Sequence, residues 1–326
     1  MSYSNSIRRI RVLATLIIVL YHCFCPFLSY GGWNMYDNAT IESFGHWLCN
    51  IVLADKMLPT FFIMSGMLYF SSRKHKVEKK VLLILNKFDR LLVPYALFMT
   101  LYFAVIEPLA GPNSSPGHLW FLTTLFSCFT IAIFLRKVDT RILIVFSFPL
   151  MFFASRLGDI NLLIFDVSKI VSYMFWFFTG WIVSNYYEQI KNMNRLLLRI
   201  SILLWITCVC FEFPFKQTLL YIMFNLLLFH FISDKPFTNT IFSRVILALD
   251  KCSFAIYLIH HFIIVLLLRN SLVSQLYIMY PIISVVGMFG VALMMSYGIA
   301  IFFIKWNLNG SSRTLLDTIK RNLTYL

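Results

Sequence analysis

An arginine and a histidine share one face of the first long apolar segment. Arg11 and His22 are eleven residues apart in the stretch RVLATLIIVLYH. On an α-helix, eleven residues rise by about 16–17 Å and complete just over three turns, so the two side chains lie about 20° apart. An imidazole has an unperturbed pKa of about 6.5 and can accept a proton from a hydroxyl near neutral pH. A base fixed in this way accelerates a reaction by about 10²–10⁴-fold.

The composition indicates that this segment lies in a membrane. Of the 326 residues, 60% are hydrophobic and 13% are charged, whereas soluble domains are about 45–50% apolar and about 25% charged. Such a chain cannot cover itself with polar surface in water, so the sequence predicts an integral membrane protein. The net charge of +14 fits basic residues in cytoplasmic loops, and we expect no nucleic-acid partner.

Ten apolar segments are long enough to be membrane-spanning helices, each of which needs about 20 residues. The sequence therefore predicts an all-α polytopic membrane protein with about ten transmembrane helices, organised as a single transmembrane domain over residues 1–326. The predicted spans are 10–28, 48–71, 90–109, 118–135, 141–157, 167–186, 196–213, 217–233, 251–269 and 279–304.

The distribution of charge predicts how these spans are oriented. With the N-terminus inside, most of the 28 Lys and Arg residues fall on cytoplasmic segments, whereas the 14 acidic residues divide evenly between the two sides. An excess of basic residues alone is what the positive-inside rule describes. We therefore expect both termini in the cytoplasm. The cysteines lack the paired spacing of a zinc site, and we expect no metal.

Arg11 and His22 also have structural interpretations. Arginine near a helix end can snorkel to the membrane surface, so Arg11 could be a topology anchor. His22 could be a hydrogen-bonded packing histidine. It would lie past the middle of the bilayer, where an ionisable side chain faces a bundle interior or a polar cavity and indicates a functional site by default. The shared face favours the functional interpretation of the pair.

Four further short sequence motifs, here called blocks, follow the motif of the first helix along the chain. Each is weak alone, but five blocks in one order on a chain of this length are specific. The blocks are Arg11–Ala14–His22, FFIMSGML at 61–68, KFDRLLVPY at 87–95, HLWFL at 118–122, and Ser253 with YLIH at 257–260. Together they resemble the acyltransferase family 3 membrane proteins, which transfer acyl groups, usually acetyl, to sugar hydroxyls. Lys87 departs from the family's RxxR pattern, and lysine lacks the fork geometry of guanidinium.

The resemblance implies that His22 is the catalytic residue and that Arg11, on the same helix face, also belongs to the catalytic machinery. His22 would deprotonate the acceptor hydroxyl for direct attack on acyl-CoA, or would itself carry the acyl group as a nucleophile. Basic residues on the cytoplasmic side could pair with the phosphates of the donor. The predicted donor-binding residues are Arg11, Lys87, Arg90, Ser65 and Gly66. The last two could line the path of the pantetheine arm, or could simply allow tight helix packing.

The predicted acceptor-binding residues are Trp120, Tyr257 and His260. Trp120 could stack on a sugar or belong to an interfacial aromatic belt. His260 could contact the acceptor or orient the catalytic imidazole, whereas His261 is expected to point about 100° away. Asp55 lies at a depth close to that of His22 and is a candidate partner for its imidazole.

A membrane O-acyltransferase is the function that these features predict. It would transfer an acyl group, with acetyl as the first expectation, from cytoplasmic acyl-CoA to a sugar of an envelope polysaccharide or its lipid-linked precursor. We expect acyl-CoA as co-substrate, no bound cofactor, contact with membrane lipid, and a bacterial cytoplasmic (inner) membrane location. A multi-span transporter or flippase is the alternative, although the sequence lacks the internal repeats that transporters often have. An inactive relative that acts as a sensor is disfavoured by the presence of both Arg11 and His22.

Overall fold

The computed structural model describes residues 4–29, 33, 35–48, 54–73, 80–106, 117–154, 160–211 and 215–309. Most of these residues are helical. In chain order the α-helices are α1 (Ser4–Phe24), α2 (Ala39–Gly45), α3 (Ala54–Arg73), α4 (Lys80–Lys87), α5 (Val93–Leu101), α6 (Trp120–Phe134), α7 (Thr140–Phe153), α8 (Val167–Lys191), α9 (Arg195–Cys210), α10 (Lys216–Phe231), α11 (Ile241–Leu268), α12 (Ser271–Met279) and α13 (Pro281–Asn309).

Short elements continue or join several of these helices. A 3₁₀ turn, Cys25–Phe27, follows α1, and another, Gly117–Leu119, precedes α6. Turns of π-helix, Phe88–Leu92 and Tyr102–Ile106, flank α5. Two antiparallel strands, β1 (Asn161–Leu162) and β2 (Phe165–Asp166), form a hairpin before α8.

Polar residues at the helix starts explain where several helices begin. The side chain of Asp139 accepts a hydrogen bond from the backbone N–H of Arg141, and the side chain of Asn194 accepts one from Leu197. Such caps satisfy backbone donors that lack a partner in the first helical turn. Asn270 caps α12 in the same way. This short helix and α2 lie between predicted spans.

Among the residues that the structure describes, four helical segments are long and apolar enough to cross a membrane: Ser4–Phe27, Gly117–Phe134, Ile241–Leu268 and Pro281–Phe302. Helices α8 and α9 meet the same criterion only as a pair, and they bend by 119° at the break between them. The prediction of an all-α membrane protein is therefore confirmed. Each of the ten predicted spans overlaps a helix, but ten crossings and cytoplasmic termini stay predictions.

The chain divides into two compact units. Unit 1 comprises residues 1–61, 109–114 and 186–301, and unit 2 comprises residues 62–108, 115–185 and 302–326. The prediction of a single transmembrane domain stays a prediction.

Helices α1 and α11 pack together as the centre of unit 1. Their contacts join early residues of one helix to early residues of the other, and late residues to late ones, so the two helices run parallel. The N-terminal end of α1 is also fixed to the segment after α10. The guanidinium of Arg9 donates hydrogen bonds to the carbonyl oxygens of Ser233 (2.6 Å) and Lys235 (2.9 Å) and lies 4.2 Å from the ring centre of Phe237.

Helices α3 and α8 approach each other backbone to backbone in unit 2. A Cβ atom added at Gly66 would lie 1.9 Å from the carbonyl oxygen of Phe177, and one added at Gly180 would lie 2.4 Å from the carbonyl oxygen of Ile63. No side chain larger than hydrogen fits either position without moving a helix. This contact accounts for the glycine of the FFIMSGML block by packing, and aromatic rings fill the space around the crossing.

Candidate active site

Three imidazoles form a cluster in unit 1. The ring centre of His22 lies 4.9 Å from that of His260 and 5.3 Å from that of His261, and both contacts are edge-to-face. His260 and His261 are 0% and 3% exposed, whereas His22 is half-buried. We expected His261 to point away from this site, and that expectation is wrong. The side chains of His260 and His261 diverge by about 100° around α11. The ring of His22 lies between them, so it contacts both.

Hydrogen bonds to backbone carbonyls assign the protons of His22 and His260. The Nδ1 atom of His22 lies 2.9 Å from the carbonyl oxygen of Ile18, and the Nδ1 atom of His260 lies 2.9 Å from that of Ile256. A carbonyl oxygen can only accept, so each Nδ1 atom carries a hydrogen. The neutral imidazole of His22 then has its lone pair on Nε2.

The two imidazoles are also joined to each other. The Nε2 atom of His260 lies 3.1 Å from Nδ1 of His22. Because Nδ1 of His260 carries the hydrogen, its Nε2 atom is an acceptor in the neutral ring. The Nδ1–H group of His22 is therefore shared between Ile18 and His260, which fixes both the tautomer and the orientation of the His22 ring.

An ion pair joins α1 and α11 at the level of Arg11. Its Nη1 atom lies 3.1 Å from Oδ1 of Asp250, and Nε of Arg8 lies 3.8 Å from Oδ2 of the same carboxylate. The Oδ1 contact is an ion pair without an aligned hydrogen bond. The side chains of Asp250 and Arg11 are 11% and 35% exposed. The carboxylate is thus largely buried, while the guanidinium keeps access to solvent.

Sequence reasoning missed Asp250 because it lies one residue before the predicted span 251–269. Its spacing was a signal that could have found it. Asp250 precedes His260 by ten residues on α11, much as Arg11 precedes His22 by eleven on α1. The side chain of Asp55, the predicted partner of His22, lies outside the described residues, so that role stays a prediction.

The segment after α1 is fixed beside the imidazole cluster. The backbone N–H of Trp33 donates to the carbonyl oxygen of Cys25 (2.9 Å), and that of Met35 donates to Pro26 (2.7 Å). The indole of Trp33 lies 5.0 Å from the ring centre of His261, at an interplanar angle of 87°. Sequence reasoning did not select Trp33, because nothing in its local pattern indicates which helix its ring contacts.

An aromatic layer closes the same end of α1. Tyr277 donates a hydrogen bond to the carbonyl oxygen of Cys23 (3.4 Å) and stacks on Phe27 at 5.6 Å. The hydroxyls of Tyr36 and Ser274 are 2.8 Å apart. One helical turn before His260, Tyr257 is buried, with its ring centre 6.1 Å from that of His260.

The remaining predicted site residues lie in unit 2. The Nζ atom of Lys87 lies 3.8 Å from the ring centre of Phe129, and Arg90 is exposed. The ring centre of Trp120 lies 5.2 Å from that of Tyr173 and 5.1 Å from Nζ of Lys169. Ser65 is half-buried next to Gly66. Within unit 1, the structure thus brings His22, His260 and Tyr257 together and pairs Arg11 with Asp250 about three helical turns away. The residues Ser65, Gly66, Lys87, Arg90 and Trp120 belong to unit 2.

Within the described part of the chain, no three His, Cys, Asp or Glu side chains are grouped so that they could hold a metal ion. The imidazole cluster offers groups for acid–base chemistry. Its chemistry comes from the lone pair on Nε2 of His22 and from the hydrogen bonds that hold that ring.

Comparison with known proteins agrees with the five blocks. The profile of a family described as an acyltransferase domain matches residues 4–297, which include both the α1 and the α11 contributions to the cluster. No curated protein and no solved structure matches the chain. The resemblance found in the sequence is confirmed over nearly the full length. The chain belongs to acyltransferase family 3.

Proposed function

We propose that this protein is a membrane O-acyltransferase that uses His22 as a general base to transfer an acyl group from acyl-CoA to a sugar hydroxyl. The observation that carries the proposal is that Nδ1 of His22 lies 2.9 Å from the carbonyl oxygen of Ile18 and 3.1 Å from Nε2 of His260. Both neighbours are acceptors in the tautomer assigned above, which leaves the basic lone pair of His22 on Nε2. Among the three clustered rings, His22 is also the one that is half-buried rather than fully buried.

The reaction follows from this arrangement. The Nε2 atom of His22 takes the hydroxyl proton as the sugar oxygen attacks the thioester carbonyl. The tetrahedral intermediate then breaks its carbon–sulfur bond, and the imidazolium returns the proton to the departing thiolate of CoA. The products are an ester and the free thiol, so His22 is neutral again at the end of the cycle.

His260 fits the role of a positioning residue better than that of an acceptor-binding residue. Its Nε2 atom accepts from Nδ1–H of His22 and so supports the imidazolium that forms during the reaction. A carboxylate does this work in serine hydrolases, and a neutral imidazole does it here without placing a charge in the membrane. The complete burial of His260 favours this second role.

Arg11 is suited to holding the donor. One of its nitrogens is engaged by Asp250, and the remaining N–H groups of the planar guanidinium can bind a phosphate. Lys87 and Arg90 are further candidates for the phosphates. The charge distribution supports a donor from the cytoplasm, ten membrane spans and cytoplasmic termini. The proposal further includes acetyl as the acyl group and an envelope polysaccharide as the acceptor. It places the protein in a bacterial inner membrane.

The test uses the full-length protein, purified in detergent, with acetyl-CoA labelled in the acetyl group and a panel of octyl pyranosides. We expect label on at least one glycoside and stoichiometric release of CoA thiol. His22→Gln should lower the rate by at least about 10²-fold. His230→Gln is the matched control, because His230 also bonds a backbone carbonyl through Nδ1, that of Ile190, but lies on α10.

Three results would count against the proposal. His22→Gln with a rate within about threefold of wild type would remove His22 from the chemistry. A wild-type protein that transfers no label, but accumulates solute in vesicles, would favour the transporter. A burst of CoA with label trapped on His22 would replace direct transfer with an acyl-enzyme.

A further inference from the structure

Trp33, which follows α1 in the sequence, is an aromatic side chain that adjoins the imidazole cluster. Its ring contacts His261, whose ring contacts His22. The indole therefore lies no farther from His22 than these two ring spacings together. The indole is half-buried, so part of its surface stays accessible.

The contact with His261 does not cover both faces of the indole. An edge-to-face pair, here at 87°, uses at most one face of either ring. The other face of the indole is not consumed by this contact. An indole face offers a large and rigid apolar surface at a low cost in conformational entropy.

The position of Trp33 is set before any ligand arrives. Its own backbone N–H is bonded to Cys25, and the next anchors along the chain are the N–H groups of Met35 and Tyr36, both bonded to Pro26. The hydroxyl contact between Tyr36 and Ser274 fastens the same segment to α12. A preformed platform avoids the cost of ordering a loop when a ligand binds.

We propose that Trp33 is the stacking platform for the pyranose ring whose hydroxyl is deprotonated by His22. The inference rests on the proposed function and names the part of the site that recognises the acceptor. The axial C–H groups of a pyranose form an apolar face that matches the indole, while its hydroxyls remain at the ring edge. A sugar stacked on Trp33 can therefore direct a hydroxyl towards His22. Trp120, the platform expected from the sequence, belongs to unit 2.

The experiment measures transfer from acetyl-CoA while the concentration of an octyl pyranoside is varied, and then while that of acetyl-CoA is varied. Trp33→Leu keeps an apolar side chain but removes the π face. We expect its KM for the glycoside to rise about tenfold, which corresponds to about 1.4 kcal/mol, with an unchanged KM for acetyl-CoA. Trp33→Phe keeps a smaller face and should raise the glycoside KM about threefold.

Trp47→Leu is the matched control. Trp47 follows α2 in the same stretch between α1 and α3, is 49% exposed, and pairs with Phe44. It should give wild-type KM values for both substrates. If Trp33→Leu cannot be purified, the graded effect of Trp33→Phe decides the question.

Equal glycoside KM values for wild type, Trp33→Leu and Trp33→Phe would overturn this inference and leave the proposed function intact. An increase in the KM for acetyl-CoA instead would assign Trp33 to the donor side and would also overturn it. Failure of the proposed function is a separate result, because wild-type protein would then transfer no label to any glycoside.

Discussion

Replacing Gly66 with alanine tests the packing of α3 against α8. The new Cβ would lie 1.9 Å from the carbonyl oxygen of Phe177, and real Cβ contacts are essentially never shorter than 3.0 Å. The two backbones must therefore separate by more than an ångström at their closest point. Because Gly180 supplies an equally tight contact from the other helix, with 2.4 Å to the oxygen of Ile63, the separation affects the whole crossing.

The cost follows from what holds helices together in a membrane. Lipid tails are as apolar as side chains, so association depends on close van der Waals contact. A gap of about 0.5–1 Å loses a quarter to a half of the attraction between facing atoms. Overpacking of this kind costs about 1–3 kcal/mol, and this loss exceeds the gain of at most about 1 kcal/mol from the better helix propensity of alanine.

Thermal unfolding of the purified protein in detergent is the measurement. After the gain in helix propensity is subtracted, a net loss of about 1–2 kcal/mol remains. On the scale of about 2 °C per kcal/mol for larger domains, we expect Gly66→Ala to melt about 2–4 °C below wild type. Gly290→Ala is the matched control, since an added Cβ at Gly290 on α13 meets nothing within 4 Å. Its melting temperature should equal or slightly exceed that of wild type.

Equal melting temperatures for Gly66→Ala and Gly290→Ala would refute the packing argument. A raised KM for acetyl-CoA without a loss of stability would then support the alternative that Gly66 lines the path of the pantetheine arm. Both properties can be measured on the same preparation.

Three further changes test other contacts. Gly180→Ala should destabilise the protein about as much as Gly66→Ala, because both glycines serve one crossing; a neutral effect on melting would show that α8 can shift. His260→Ala should lower kcat about 10–100-fold and change the pH profile of kcat with little effect on the acceptor KM; a raised acceptor KM with an unchanged kcat would instead make His260 an acceptor-binding residue. Asp250→Asn should raise the KM for acetyl-CoA about two- to fivefold, because the ion pair between this largely buried carboxylate and the partly exposed Arg11 contributes about 0.5–1 kcal/mol; an unchanged value in steady-state kinetics would limit the pair to joining the helices.

The part of the candidate site that could be predicted lies within single helices. The spacing of Arg11 and His22 depends only on helix geometry, and His260 belonged to a block that could be recognised in the sequence. The contacts between helices could not be predicted in this way. His261 contacts His22 because of the rotation of α11 against α1, and Trp33, which follows the 3₁₀ turn after α1 in the sequence, contacts His261. The spacing of residues along the sequence does not indicate the contact of His261 with His22 or that of Trp33 with His261.

The same limit applies to the fold. Long apolar runs predicted where helices would lie, because burial of the backbone in lipid requires helices. The predicted third span begins at residue 90, whereas α4 already covers Lys80–Lys87 and the helix continues through a π-helical turn. The short helices α2 and α12 depend on the capping residues Asn38 and Asn270 rather than on a long apolar pattern.

The parallel course of α1 and α11 imposes a length rule on both helices. Two polar contacts join the helices at different heights: the ion pair of Arg11 with Asp250 and the hydrogen bond of His22 with His260. Inserting one residue on α1 between Arg11 and His22 would turn His22 by about 100° and advance it by about 1.5 Å. The contact of His22 with His260 would then be lost, while the contact of Arg11 with Asp250 would remain. A chain that keeps both contacts can therefore change the number of residues between them on one helix only if the other helix changes to match.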